Sequence, residues 1–241
     1  MPLSLRVAAV GDIHSPRYLD LFIKAMSGLP RVDVFLLVGD VVLKGKIEEL
    51  PKVLDIVERN TNCPIVACFG NEEYEDLHDE IRRLCEGRAT FLEEEIYVLQ
   101  VGDVTLGIVG SKGSLDRPTW WQARNIPNIR KIYAERVKKV ADLVSRLKTT
   151  YKCLMIHYAP SYCNLEGEKP SAYPELGSKK FEPIIKKSDL DFVVHGHAHR
   201  GKAFCEVGDV PVFNVALPAT KKITIIDLPL KGETRLDMFF R

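Results

Sequence analysis

Near-continuous apolar runs recur along the first third of the chain: Leu5 to Val10, Val34 to Val38 and Pro64 to Phe69. Runs of this length without alternation predict strands buried on both faces. Between them, apolar residues return at helical spacing. Tyr18 to Met26 is one such stretch. Ile47 to Val57 carries Ile47, Leu50, Leu54 and Val57, and Glu72 to Cys85 carries Leu77, Ile81 and Leu84. Strand, helix and strand in this order predict right-handed crossovers and a parallel sheet.

The pattern changes at Ile96. Ile96 to Val101 and Val104 to Val109, parted by Gly102-Asp103, read as a hairpin. A long helix follows, with Ile129, Ile132, Tyr133, Val137, Val140, Val144 and Leu147 on a three-four rhythm. Leu154 to Ile156 and Phe192 to Val194 return as buried strands. The tail offers strands at Ala203 to Val207, Val210 to Val215, Ile223 to Ile226 and Leu236 to Phe240. The expected architecture is an α/β chain with two sheets face to face and helices outside.

Composition narrows this picture little. The 241 residues show no linker, repeat or low-complexity tract, so a single domain over 1–241 is expected. No apolar run approaches the roughly 18 residues of a membrane span, and the N-terminus lacks the layout of a signal peptide. A cytoplasmic address is the expectation. Thirty-four basic and 33 acidic residues leave a formal charge of +1, which gives no general footprint for nucleic acid. Cysteines 63, 68, 85, 153, 163 and 205 show no CxxC spacing, and reduced, buried thiols are expected.

The candidate chemistry lies where the apolar runs end. Gly11-Asp12-Ile13-His14, Gly39-Asp40, Gly70-Asn71, His157 and Gly196-His197-Ala198-His199 each follow one. In an open parallel sheet, ligands gather outside the carboxyl ends of strands. Asp12 and His14 are two apart, as are His197 and His199, so in extended chain each pair shares a face. Carboxylate, amide and imidazole donors together suit Mn, Fe, Co, Ni or Zn and suit calcium poorly. Seven donors exceed the needs of one ion that must keep water, and two ions sharing a carboxylate fit better.

Each piece also has a plainer explanation. Asn71 suits a helix N-cap, and a lone His157 suits a hydrogen-bonded core position. Alternating His195, His197 and His199 after a buried strand are harder to assign to packing. His195 reads as a core or supporting residue, and His78 as a helix-surface residue.

The series Asp-x-His, Gly-Asp, Gly-Asn, His, Gly-His-x-His, spread over residues 11 to 200, resembles the calcineurin-like metallophosphoesterases. The resemblance implies a four-layer α/β/β/α sandwich of two mixed sheets flanked by helices. It implies one metal on Asp12, His14, Asp40 and His199, and a second on Asp40, Asn71, His157 and His197, bridged by Asp40. The implied reaction is phosphoester cleavage of a small phosphorylated compound or phosphodiester. Water held between two cations loses its proton near neutral pH and attacks phosphorus in line.

Two departures from that pattern stand out. Relatives often carry His after Gly-Asn to protonate the leaving oxygen, whereas this chain has Glu72 and Glu73. Glu72 can act when protonated, face away in the first turn of a helix, or be dispensable with good leaving groups; the helix-start role ranks first. Leu43 and Lys44 stand where relatives often place an acid and where the protein phosphatases have Arg, which disfavours a protein phosphatase. Lys44, Arg117 and Arg200 are candidate phosphate contacts, with a solvated loop role as the alternative for Lys44 and core capping as the alternative for Trp120 and Trp121. The 111–128 segment, with Trp120 and Trp121, is expected to form part of the substrate cleft. A nuclease and a non-enzymatic scaffold on the same fold remain alternatives. Retention of all seven donors argues against the scaffold.

Overall fold

The computed structural model describes residues 4–230. Strand β1 (Leu5–Val10) leads through α1 (Leu19–Met26) to β2 (Val34–Val38), then through α2 (Leu50–Asn60) to β3 (Ile65–Cys68). Helix α3 (His78–Leu84) precedes β4 (Ala89–Leu92). The hairpin of β5 (Glu95–Val101) and β6 (Val104–Ser111) opens the second half, followed by the short α4 (Trp120–Asn125) and the long α5 (Ile129–Ser145). Next come β7 (Tyr151–Ile156), α6 (Tyr173–Leu176), α7 (Glu182–Lys187) and β8 (Phe192–His195). The described chain closes with β9 (Phe204–Val207), β10 (Val210–Asn214), α8 (Leu217–Thr220) and β11 (Thr224–Leu228).

Two mixed sheets result, with strand orders β11-β1-β2-β3-β4 and β5-β6-β7-β8-β10-β9. Within the first, β1 to β4 run parallel and β11 is antiparallel to β1. Within the second, β6, β7, β8 and β10 are parallel, with antiparallel β5 and β9 at the edges.

The apolar runs have no polar alternation because both faces of each strand are covered. Val7, Ala9, Val34, Leu36 and Val38 point between the sheets, against Cys153, Met155, Phe192 and Val194. Ala8, Val10, Phe35 and Leu37 point outward under Phe22, Val53 and Val57 of the helices. Leu154, Ile156 and Val193 do the same under Val140, Val144 and Ile185. Fully burying a Val, Leu or Phe side chain contributes about 1.5–3 kcal/mol, so both faces of these strands are held apolar. The four-layer α/β/β/α sandwich is therefore present.

Several local expectations are corrected. The helix expected from Glu72 starts later, as a 3-10 turn at Glu75–Leu77 running into α3, because the backbone from Gly70 to Glu73 is drawn into side-chain bonds described below. His78 is not on the surface. Its ring stacks on Phe69 at 3.7 Å and its Nδ1 lies 3.0 Å from Glu93. Strand β4 has no sequence signal, being four residues long and half exposed at an edge. Thr119 caps α4 within the 111–128 segment, where the sequence predicts no helix. Cys163 and Cys205 form a disulfide, whereas Cys63, Cys68, Cys85 and Cys153 are free. The strand expected at Leu236 to Phe240 lies outside the described residues.

Candidate metal centre

The carboxyl ends of β1, β2, β3, β7 and β8 meet at one rim of the sandwich. Their loops are tied together by the backbone. Asp12 N–H donates to Gly39 O at 3.0 Å, His14 N–H to Asp40 O at 2.9 Å, and Gly196 N–H to His157 O at 3.1 Å. Asp12, His14, Asp40, Asn71, His157, His197 and His199 all gather there. Ligand atoms of Asp12, Asp40, His157 and His197 lie within 4.8 Å of one another, as do those of Asp12, His14 and His199. Asp12 belongs to both groups. Asp40 Oδ2 reaches both as well, lying 3.5 Å from His157 Nε2 and 3.7 Å from His14 Nε2.

Extended chain does not produce this convergence. Asp12, His14, Asp40 and His197 all have left-handed backbone, with φ of 58°, 43°, 50° and 66°. Such conformations cost about 1–3 kcal/mol per non-glycine residue and cluster at functional sites. Each bend turns a side chain inward from a strand end. The adjoining glycines leave room for them. A Cβ on Gly70 would collide with the Asp40 carboxylate, and one on Gly196 with that of Asp12.

Hydrogen bonds fix the donors' orientation. The Val38 carbonyl can only accept, so His157 Nδ1 donates to it at 3.0 Å and turns Nε2 toward Asp40 and toward Asn71 Oδ1, 3.2 Å away. Asp12 Oδ2 accepts the His197 N–H at 2.8 Å, while Asp12 Oδ1 lies 2.9 Å from His199 Nε2. Asn71 thus faces the centre and caps no helix.

The charges at the rim suit a cation. Asp12 and Asp40 are both fully buried and face each other. Burial alone would raise the Asp12 carboxyl, but hydrogen bonds from His14 and His199 bring it well below the usual range. Burial likewise opposes charge on His157, yet the Asp40 carboxylate raises its pKa to about 9. Burial and the His157 charge hold His197 down at about 3. Two carboxylates, an amide and four imidazoles, with His14 Nδ1 buried and unpartnered, fit divalent transition ions.

The other sequence candidates lie at differing distances from this rim. The Glu72 carboxylate accepts the Lys44 N–H at 2.6 Å, and its own N–H donates to Asp40 Oδ1 at 2.8 Å. Lys44 is exposed in a left-handed turn. Arg117 is engaged elsewhere, donating to Glu175 at 2.9 Å and to Ser171 O at 2.8 Å. Arg200 is exposed, and its N–H donates to Glu168 at 2.7 Å. His195 is buried on β8 with Nδ1 2.8 Å from Gly196 O, and burial lowers its pKa to about 4. Trp120 and Trp121 are 71% and 60% exposed.

Sequence reasoning passed over two residues at the rim. Glu73 is fully buried and accepts three backbone N–H groups, from Asp40 at 2.9 Å, Val42 at 3.1 Å and Gly70 at 2.7 Å. Tyr158 sets its ring edge-on to His197 at 4.8 Å. The adjacent-acid pair Glu72-Glu73 was the only visible signal for the first, and nothing marked the second.

The sequence profile described as calcineurin-like phosphoesterase matches residues 5–201. The chain belongs to this family. Phosphoester hydrolysis is the activity the family name carries, and its members use divalent metals. No curated protein matches the calcineurin-like chain by sequence. Among solved structures, it resembles the phosphopantetheinyl hydrolase of Mycobacterium tuberculosis, with 16% identity and a TM-score of 0.67 over 88% of this chain and 89% of that one. It also resembles the protein TT1561 of Thermus thermophilus, with 15% identity and a TM-score of 0.55 over 92% and 98%. At such identities the likeness shows the fold alone. Among the described residues of this calcineurin-like phosphoesterase, no helix is long and apolar enough to cross a membrane.

Proposed function

We propose that this metallophosphoesterase cleaves small phosphorylated compounds, phosphodiesters among them, at a centre for two divalent ions. One ion is held by Asp12, His14, Asp40 and His199, the other by Asp40, Asn71, His157 and His197. The observation that supports this reading is the convergence of two overlapping donor groups, with ligand atoms within 4.8 Å, on one buried rim. When bound, the ions supply Lewis-acid charge to the phosphoryl oxygens and make a solvent water acidic.

The chain's own residues set the rest. Asp40 brings the two halves together, and Val38 holds the His157 ring so that Nε2 faces inward. No imidazole follows Asn71, and the Glu72 carboxylate is occupied by the Lys44 N–H. The leaving oxygen therefore meets no imidazole donor at this position. General acid catalysis typically contributes about 10²- to 10⁴-fold, so esters with good leaving groups are preferred.

The 111–128 segment forms one wall of the cleft within a single domain. Its support is Gln122, whose Nε2 donates to the Tyr158 hydroxyl at 3.2 Å beside His197. Lys44 and Arg200 are exposed and free to meet substrate at the rim, whereas Arg117 must first leave Glu175. Turnover of bis(p-nitrophenyl) phosphate and p-nitrophenyl phosphate by protein loaded with Mn, Ni or Zn tests the reading. Cleavage that requires metal supports it; bound metal with no cleavage of any phosphoester overturns it.

A further inference from the structure

Two cations are buried on the flank of the candidate metal centre, and the reaction outlined above uses neither. Lys112 follows the last residue of β6, and Arg136 sits on α5. Each is only 8% exposed. The Lys112 carbonyl accepts the N–H of Tyr158 at 3.0 Å, one residue from His157. Glu75, four residues beyond Asn71, lies within 4.0 Å of both cations. Its Oε1 lies 3.5 Å from Lys112 Nζ and 4.0 Å from Arg136 Nη2, and the carboxylate is 57% exposed.

The Glu75 contacts are long for a structural ion pair, and although Arg136 also has Glu94 3.1 Å from its Nε, Lys112 has no closer acid than Glu75 among the ion pairs of the described residues. Burying an ammonium or guanidinium costs several kcal/mol unless close hydrogen bonds offset it. The chain makes such bonds elsewhere: Arg88 meets Glu58 and Asp55 at 2.6 Å on a more exposed surface. The other nearby acids are already engaged. Glu94 takes the Ser111 hydroxyl at 2.7 Å and lies 3.1 Å from Arg136 Nε, while Glu93 meets His78. Arg136 Nη1 donates to Gly113 O at 3.0 Å. That leaves Lys112 Nζ and Arg136 Nη2 facing one exposed carboxylate. Ser114, the residue after Gly113, has its Oγ buried without a hydrogen-bond partner. Burial pushes the Lys112 amine below its ordinary pKa. An ammonium and a guanidinium arm form a donor pair suited to phosphate.

We propose that Lys112 and Arg136 form a second anion subsite, in which a non-reacting phosphate of the substrate displaces Glu75 while the ester to be cleaved sits at the metal centre. The substrate class is thereby narrowed to small molecules carrying two separated phosphates. This inference rests on the phosphoesterase reading for the second phosphate, but the subsite can be tested apart from catalysis.

Calorimetric titration of the metal-loaded full chain with fructose 1,6-bisphosphate and with fructose 6-phosphate is the test. The bisphosphate is expected to bind more tightly. Lys112→Met is expected to weaken its binding about tenfold or more, and Glu75→Gln to tighten it about tenfold, with the monophosphate shifting much less in both. Glu75 is exposed, so its variant carries the test even if burial makes the Lys112 variant fold poorly, and tighter binding cannot arise from misfolding. Equal affinity for the two sugars, or equal shifts in both, overturns the subsite. Turnover of bis(p-nitrophenyl) phosphate and p-nitrophenyl phosphate by the same samples reports on the hydrolase reading alone. Preserved bisphosphate selectivity without turnover upholds the subsite and strikes the reaction.

Discussion

The Glu73 carboxylate accepts the backbone N–H of Asp40 at 2.9 Å, across the gap between the loops that follow β2 and β3. The same Oε2 takes Gly70 N–H, and Oε1 takes Val42 N–H. A side chain at the end of one strand thus holds the left-handed bend that carries the central acid of the next. Burial, and then the Asp40 charge, raise the Glu73 pKa. The arrangement persists because three donors converge on it.

Glu73→Ala should therefore cost far more than a surface change. Three buried N–H groups would lose their acceptor, at about 1–3 kcal/mol each, for a total of about 3 kcal/mol or more. Denaturant unfolding checks this. Glu73→Gln is expected to fall short of full rescue, because its amide NH₂ must face at least one backbone donor. A Glu73→Ala protein as stable as the parent would show that the three bonds contribute nothing.

Asp40→Ala should reduce turnover to background and lower the bound metal. Its Oδ2 faces His14 and His157 from both donor groups, and its Oδ1 also holds the Glu72 N–H. Metal analysis and ester hydrolysis on the same sample read the two effects together. Full activity in this variant would rule out a shared carboxylate.

Leaving-group dependence follows from the Glu72–Lys44 contact. With the carboxylate occupied by a backbone N–H, aryl phosphodiesters should be cleaved at least about 10²-fold faster than alkyl ones, the lower range of what a general acid supplies. Similar rates would mean that another group donates the proton. Glu72→His should narrow the gap.

The fold was legible in the sequence because both faces of the central strands are buried, which leaves runs such as Val34 to Val38 unbroken. The gathering of the seven candidate donors was legible because parallel strands must end at one rim, and short Gly-Asp or Gly-His motifs mark those ends. What the sequence hid depends on long-range contact. The left-handed turns at Asp12, His14, Asp40 and His197 are set by backbone bonds between loops, where extended chain had been the expectation. Glu73 carried no signal beyond standing next to Glu72, yet it reaches three amides. Arg136 shares the three-four rhythm of α5 with Tyr133 and Val140, so its burial beside Lys112 had no pattern of its own. Cys163 and Cys205 lie 42 residues apart with no spacing motif.

That disulfide gives a stability prediction of its own. It links the loop after β7 to β9, near Asn164, whose Nδ2 donates to Lys202 O at 3.1 Å beyond His199. Closing a loop of 42 residues is worth about 4 kcal/mol in the chain-entropy estimate, with a typical measured range of about 2–4 kcal/mol. Cys163→Ser should lower unfolding stability by about that range, and a reductant should have no further effect on the variant. A reductant that leaves the parent's stability untouched would contradict this.

The most direct test of the metal centre is anomalous diffraction from crystals soaked in manganese. Two peaks are expected at the rim, one among Asp12, His14, Asp40 and His199, the other among Asp40, Asn71, His157 and His197. An empty rim at saturating manganese, or peaks bound only by other residues, would contradict a two-ion centre built from these side chains.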